Sequence, residues 1–195
     1  DKNGLDYQQY IPCLDPLGEP RGRRPWSLTP EDYGTFLCSL FDEWYRDWAA
    51  GRYTSVRLFD DYVHLAMGMP AGTCATSGSC GAYAVVEGDG SVYPCDFFAL
   101  DEWKLGNIHQ TPLAALSAGR REQEFLQEGL DHPAPCAACR WQALCQGGCK
   151  RDWTTGAQGG RQNYYCAAFQ KFFAHAEPRL RQIAAAEQRA RRMGL

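Results

Sequence analysis

The chain predicts two kinds of architecture in succession: an α/β segment built as strand, helix, strand, helix, then an α+β region with a β-hairpin and a long closing helix. Three observations carry this. Between Tyr10 and Met67, short apolar runs alternate with helical hydrophobic spacing. Eight of the ten cysteines then fall between Cys74 and Cys166, a density found in disulfide scaffolds and metal proteins. With 45% hydrophobic and 22% charged residues, 195 residues suffice for one to two domains with a buried core. The formal net charge of −3 excludes a generally basic nucleic-acid binder. No run approaches the ~18 apolar residues of a membrane helix, and residues 1–15 lack the charged-then-apolar layout of a signal peptide. The sequence opens at Asp1-Lys2-Asn3 without an initiator Met and enters strand-like sequence almost at once. It is therefore expected to be the later part of a longer chain.

Taken in order, Tyr10-Ile11-Pro12-Cys13-Leu14 predicts a short buried strand, ended by the Pro and Gly residues of 16–25. Thr29-Pro30-Glu31-Asp32 has the form of a helix start, with Thr29 as cap, Pro30 at the first helical position and Asp32 closing a capping box. Tyr33, Leu37, Leu40, Trp44 and Trp48 line one face of that helix, which Gly51 stops. Residues 54–59 predict a strand and residues 60–67 a short helix. A complete barrel does not fit into about 70 residues, so this opening reads as the last strand/helix units of a partial (β/α) barrel. Residues 82–87 and 91–95 are β-prone runs joined by Gly88-Asp89-Gly90, a hairpin signal. Residues 113–126 predict a helix. Residues 133–166, rich in Cys, Gly and Trp, have weak periodicity and need an inorganic staple. A last helix is expected from about Tyr165 to Arg192, interrupted at Pro178. The expected divisions are 1–73, 74–170 and 171–195.

Two cysteine patterns carry the chemistry. The first is Cys80-x9-Gly90-x4-Cys95, preceded by Cys74; the second is Cys136-x2-Cys139-x5-Cys145-x3-Cys149, followed by Cys166. A C-x2-C pair lets two thiolates reach one metal from a tight loop, in zinc and iron–sulfur sites alike. Disulfides need an oxidising compartment that nothing here indicates. Zinc ribbons usually pair two C-x2-C units, and only one is present. Two [4Fe–4S] clusters need four cysteines each and tolerate irregular spacing, including a ligand lent to a neighbouring cluster. Gly147 and Gly148 permit close backbone approach, and Arg140, Lys150 and Arg151 can offset cluster charge. Iron–sulfur fits best.

The order C-x9-G-x4-C, then C-x2-C-x5-C-x3-C, then a last Cys, resembles the SPASM domain of radical SAM peptide-modifying enzymes. More narrowly, residues 92–98 (VYPCDFF), 105–108 (LGNI) and 145–149 (CQGGC) resemble the anaerobic sulfatase-maturating enzymes, and Cys74 fits that family too. The resemblance implies that Cys74, Cys80, Cys95 and Cys149 hold a first auxiliary [4Fe–4S] cluster, and that Cys136, Cys139, Cys145 and Cys166 hold a second. It implies oxidation of a Cys or Ser in a sulfatase polypeptide to Cα-formylglycine. In that scheme a 5′-deoxyadenosyl radical takes a hydrogen from the target Cβ, Asp96 takes the side-chain proton, and the surplus electron leaves through the auxiliary clusters. Leu14 would lie where the family's barrel contacts S-adenosylmethionine through its backbone. The family's radical-generating C-x3-C-x2-C motif is absent here, so a third [4Fe–4S] cluster and S-adenosylmethionine are expected only with an upstream part, and this piece alone should be inactive. A ferredoxin or flavodoxin as electron donor, a cytoplasmic setting, and neither nucleic-acid nor membrane partners complete the expectation. The rival readings are another SPASM peptide maturase, of thioether or quinone-cofactor type, and a non-catalytic zinc or iron–sulfur module.

The remaining candidates have plainer readings beside them. Asp96 can equally cap the turn that starts at Phe97, and Leu14 can be an ordinary core residue. Cys38 reads as a small buried apolar residue, and the four dispersed histidines as structural. Tyr10, Tyr93, Phe97, Phe98 and Trp103 suit either a peptide channel or an aromatic core. The arginine-rich tail from residue 171 reads as a solvated helix.

Overall fold

A computed structural model describes residues 4–156 and 159–194, a mixed helix and strand chain. Strand β1 is Tyr7–Gln8, and it pairs in parallel with β2, Ser55–Val56, in the register Tyr7↔Ser55 and Gln8↔Val56. The strand expected over 10–14 does not form. Pro12 has no N–H to give a ladder, and the Ile11 side chain is 67% exposed. Leu14 is therefore half-buried in irregular chain rather than at a strand end.

Helix α1, Pro30–Ala49, crosses between the two strands. Its start is the one the sequence spells: the Asp32 N–H donates to the Thr29 hydroxyl at 3.1 Å, and that hydroxyl donates to the Asp32 carboxylate at 2.6 Å. Helix α2, Arg57–Ala66, begins three residues before the expected Asp60, so β2 is shorter than 54–59. Phe59, Tyr62 and Val63 are all buried, and that i, i+3, i+4 face claims the apolar run for a helix.

Helix α3, Cys74–Ser77, is a single turn. Strands β3 (Val85–Val86) and β4 (Ser91–Tyr93) form the expected antiparallel hairpin, with Val86 opposite Val92. Its tip is closed by Asp89, whose carboxylate accepts both the N–H and the hydroxyl of Ser91 at 2.8 Å. A third strand, β5 (Gly106–Asn107), pairs on the other side of β4. The helix expected over 113–126 is two: α4, Leu113–Ser117, and α5, Arg120–Leu130, broken at Ala118-Gly119. Helix α6, Gln142–Cys145, is followed by a second hairpin of β6 (Trp153–Thr155) and β7 (Arg161–Asn163).

Helix α7, Cys166–Arg192, continues through Pro178 rather than breaking there. Pro178 and Ala174 both sit on the exposed face, so the Ala174 carbonyl that loses its intrahelical donor faces water. The opposite face of α7 packs on α1 and α2, and Phe59 stacks on Phe172 with centroids 5.6 Å apart. Trp141 and Leu144 enter the same core. The cysteine-bearing α6 is thus anchored by apolar burial one residue before Cys145. No helix among the described residues is long and apolar enough to cross a membrane.

Candidate metal centre

Between Cys145 and Cys149 the chain makes an abrupt reversal. Gln146, Gly147 and Gly148 take φ of 52°, 82° and 69°, three successive left-handed residues. A Cβ on Gly147 would lie 2.5 Å from His132 Nδ1, so the sequence needs glycine there on steric as well as conformational grounds. The turn delivers the Gly147 N–H to the Cys145 sulfur. Its carbonyl is held in turn by Trp153 Nε1 and Asn163 Nδ2, both at 3.1 Å. Cys136 and Cys139 come from the 3₁₀ turn Ala134–Ala138 and its end, and Cys166 opens α7. All four of Cys136, Cys139, Cys145 and Cys166 line one cavity of about 60 Å³, backed by Trp141 and Phe173. Burial pushes the Cys145 thiol up to about 12, and it raises Cys136 and Cys166 as well. Gln170 Nε2 donates to the Cys166 sulfur at 3.4 Å.

The other four thiols gather at the first hairpin. Cys80 lies in the electrostatic reach of Cys74 and Cys95, and Cys149 in that of the same two. Burial pushes Cys80 up to about 11 and Cys149 to about 12. The backbone N–H of Phe97 opposes the rise at Cys95, and that of Arg151 opposes it at Cys149. Buried thiols supplied with N–H donors suit metal-bound sulfur, since a coordinated thiolate needs no proton and accepts such bonds. Among the described residues, no three His, Cys, Asp or Glu side chains converge closely enough to hold a single metal ion. The ligand sulfurs of a cubane, each bound to a different iron, stand further apart than those around one ion. The donor chemistry of both sets fits such a cluster.

Several supports were invisible in the sequence. Asp61 of α2 is buried and clamps the loop before Cys74, accepting from the Gly72 N–H and the Thr73 hydroxyl at 2.7 Å and from the Thr76 hydroxyl at 2.6 Å. Gly129 faces Cys80 so closely that a Cβ would lie 2.6 Å from its sulfur. The Tyr83 hydroxyl lies 3.7 Å from Cys95 Sγ. Lys150 is buried over the rings of Phe98, Trp103 and Phe125, whose sequence positions give no hint of meeting. Burial pushes its ammonium below the usual lysine range, while Glu128 and Cys80 oppose that shift. Of the other two cations singled out by sequence, Arg151 is buried and donates to the Asp15 carbonyl, whereas Arg140 is exposed over the Trp141 ring.

Asp96 is exposed at the start of a 3₁₀ turn, Asp96–Phe98. Among the described residues its carboxylate accepts from the Cys95 thiol at 3.4 Å and makes no capping bond. Leu14 is half-buried and Cys13 exposed in irregular chain, neither lines the cavity of the second thiol set, and Cys38 is half-buried on α1. Tyr93 is core, Phe98 and Trp103 pack on Phe125, and Tyr10 and Phe97 remain partly exposed. His132 contacts the Gly78 carbonyl through Nε2 at 2.6 Å, and His175 pairs with Asp42 at 2.7 Å.

Comparison with known proteins identifies relatives of this chain. A family model for SPASM, an iron–sulfur cluster-binding domain, matches residues 78–140. A cysteine-type anaerobic sulfatase-maturating enzyme of Clostridium novyi (strain NT) is 40% identical over 173 residues, 88% of this chain and 46% of that protein. A serine-type enzyme of Bacteroides thetaiotaomicron is 32% identical over 156 residues, 78% of this chain and 37% of that protein. A solved structure described as native anSMEcpe with bound AdoMet and Kp18Cys peptide superposes with a TM-score of 0.85 at 40% identity, covering 91% of this chain and 49% of that one. The chain spans about half the length of the curated relatives it matches. This chain therefore carries a SPASM domain and is homologous to the C-terminal part of the anaerobic sulfatase-maturating enzymes.

Proposed function

We propose that this chain is the auxiliary-cluster part of a radical SAM enzyme that oxidises a Cys or Ser of a sulfatase polypeptide to Cα-formylglycine. The observation that carries the reading is the gathering of eight thiols from distant segments into two groups of four, one of them lining a single cavity. Cys74, Cys80, Cys95 and Cys149 are the ligands of a first [4Fe–4S] cluster, and Cys136, Cys139, Cys145 and Cys166 those of a second. When bound, these clusters supply a sink for the electron left over when the target carbon is oxidised. Asp96 is the general base, accepting the proton of the target thiol or hydroxyl. Its exposure beside buried Cys95 supports that role, because an incoming peptide can reach it.

The parallel pairing of β1 with β2 across α1 supports residues 1–73 as the closing units of a partial barrel, with 74–170 as the cluster-binding domain and 171–195 as the C-terminal division, which carries most of α7. In the whole enzyme, the part upstream supplies the third [4Fe–4S] cluster and S-adenosylmethionine, toward which Leu14 offers backbone contacts. Ferredoxin or flavodoxin is the electron donor in an anaerobic cytoplasm. Matches to both cysteine-type and serine-type relatives support the reaction without choosing its target. The test is anaerobic turnover by the full-length enzyme on two sulfatase-derived peptides that differ only in Cys or Ser at the target. Formylglycine detected by mass spectrometry in either peptide is the expected result, and its absence from both, with clusters loaded, overturns the reading.

A further inference from the structure

We propose that Lys150 is a charge-tuning residue, whose buried ammonium sets the reduction potential of the cluster held by Cys74, Cys80, Cys95 and Cys149. This deepens, and rests on, the cluster reading above. The Lys150 side chain is only 1% exposed. Its Nζ lies 3.4 Å from the Phe125 ring centroid, 4.8 Å from Trp103 and 4.9 Å from Phe98, three aromatic faces closing around one cation. Among the described residues it donates one hydrogen bond, to the Phe125 carbonyl at 3.1 Å.

A cation taken so far out of water needs a full counter-charge. Among the described residues its one carboxylate partner is Glu128, at 3.6 Å and itself 42% exposed. Glu122 is buried nearby with Oε2 unpartnered; burial raises its pKa and the charge of Lys150 opposes that shift. Cys80 and Cys95 also lie within electrostatic reach of the ammonium. Lys150 also follows Cys149 directly in the chain. The ion-pair partner Glu128 is partly exposed, and the thiols of Cys80 and Cys95 lie on the same side of the charge balance as the carboxylates.

A cluster bound by four thiolates is anionic, and reduction adds one electron to it. A fixed cation beside it stabilises the reduced form more than the oxidised form, so the potential rises. The aromatic cage keeps water from screening that charge. A surface lysine would have little such effect.

The test is an anaerobic redox titration of the reconstituted chain followed by electron paramagnetic resonance, with the second cluster as internal control. Lys150→Met keeps length and apolar packing and removes the charge. Its hairpin cluster should titrate at a more negative potential, with the second cluster unchanged, and Lys150→Arg should restore a value near wild type. An unshifted potential in Lys150→Met, with both clusters present, overturns the proposal. If Lys150→Met fails to load the hairpin cluster while Lys150→Arg loads it, a required charge is supported. Failure of both to load makes the residue a packing element and overturns it. A wild-type chain with no hairpin cluster removes the underlying cluster reading, a result distinct from an unshifted potential.

Discussion

Asp96 sits next to Cys95 yet faces solvent, and the two roles open to it make different numerical demands. As a positioned general base it contributes about 10²–10⁴-fold in rate. Asp96→Asn in the full-length enzyme should lower formylglycine formation by a factor in that range. Cleavage of S-adenosylmethionine should continue, uncoupled from product, because hydrogen abstraction does not use this carboxylate. As a mere turn cap it would instead contribute about 0.5–2 kcal/mol of stability and leave turnover per folded molecule near normal. The structure gives Asp96 no capping bond among the described residues, which favours the first outcome. Product yield at equal iron content separates the two. Cys149 poses a second question at this scale. It follows Cys145 closely in sequence but neighbours Cys74 and Cys95 in space. Cys149→Ala should therefore damage the hairpin cluster, whereas Cys136→Ala or Cys139→Ala should remove the other cluster and spare the hairpin one. Mössbauer or paramagnetic resonance spectra of the three variants read this out, and an intact hairpin cluster in Cys149→Ala would break the assignment.

Among the elements, α5 bears on the site through what it lacks. Gly129 falls in its last turns, where alanine would favour the helix by about 1 kcal/mol. A Cβ at this position would lie 2.6 Å from Cys80 Sγ and 3.3 Å from the Cys80 backbone nitrogen, so ordinary propensity is overruled by close approach. Gly129→Ala should lose most of the hairpin cluster's iron while the second cluster stays loaded, measured as iron per chain with paired spectra. Unchanged iron would mean that the Cys80 loop yields freely. Helix α1 offers the opposite case, a purely local rule. Thr29→Ala removes a cap and should cost about 0.5–2 kcal/mol in thermal or denaturant unfolding, with cluster content unaffected.

Among the described residues an aromatic and aliphatic core is shared by α1, α2, α6 and α7, while Val92, Tyr93, Leu116 and Phe125 are buried outside it. Two sets of four thiolates predict roughly eight iron and eight sulfide per reconstituted chain. A colourless protein holding two zinc per chain would contradict the assignment. A polar tie joins the N-terminal loop to the loop after Cys149. Asp15 is buried; its carboxylate accepts from the Ser27 hydroxyl and the Gly22 N–H at 3.0 Å, and its carbonyl accepts from Arg151. Those hydrogen bonds, the Ser27 one foremost, hold the Asp15 carboxyl below its usual range. A depressed carboxylate adds stability at pH values above its unfolded pKa and loses it as pH falls through the folded one. Asp15→Asn should thus melt below wild type at about pH 6, and the gap should narrow towards about pH 3. A gap that stays constant would mean that Asp15 matters by packing alone.

What the sequence determined by itself is what neighbours along the chain can enforce. The Thr29 cap, the Gly88-Asp89-Gly90 hairpin and the amphipathic face of α1 all follow from residues a few positions apart, and all formed. The eight thiols were equally legible, because their chemistry and spacing are covalent facts. Local pattern misled where another force competed with it. The strand expected over 54–59 gave way from Arg57 to a helix that buries Phe59 and Tyr62 against α7, and α7 continues through Pro178, whose face is exposed. Only the tertiary structure decided that Asp61 clamps the approach to Cys74 and that three aromatic rings enclose Lys150. Each of those contacts joins groups on different elements. They are fixed by how the α1–α2–α7 core packs and by which buried charges must find partners, and neither periodicity nor spacing records that.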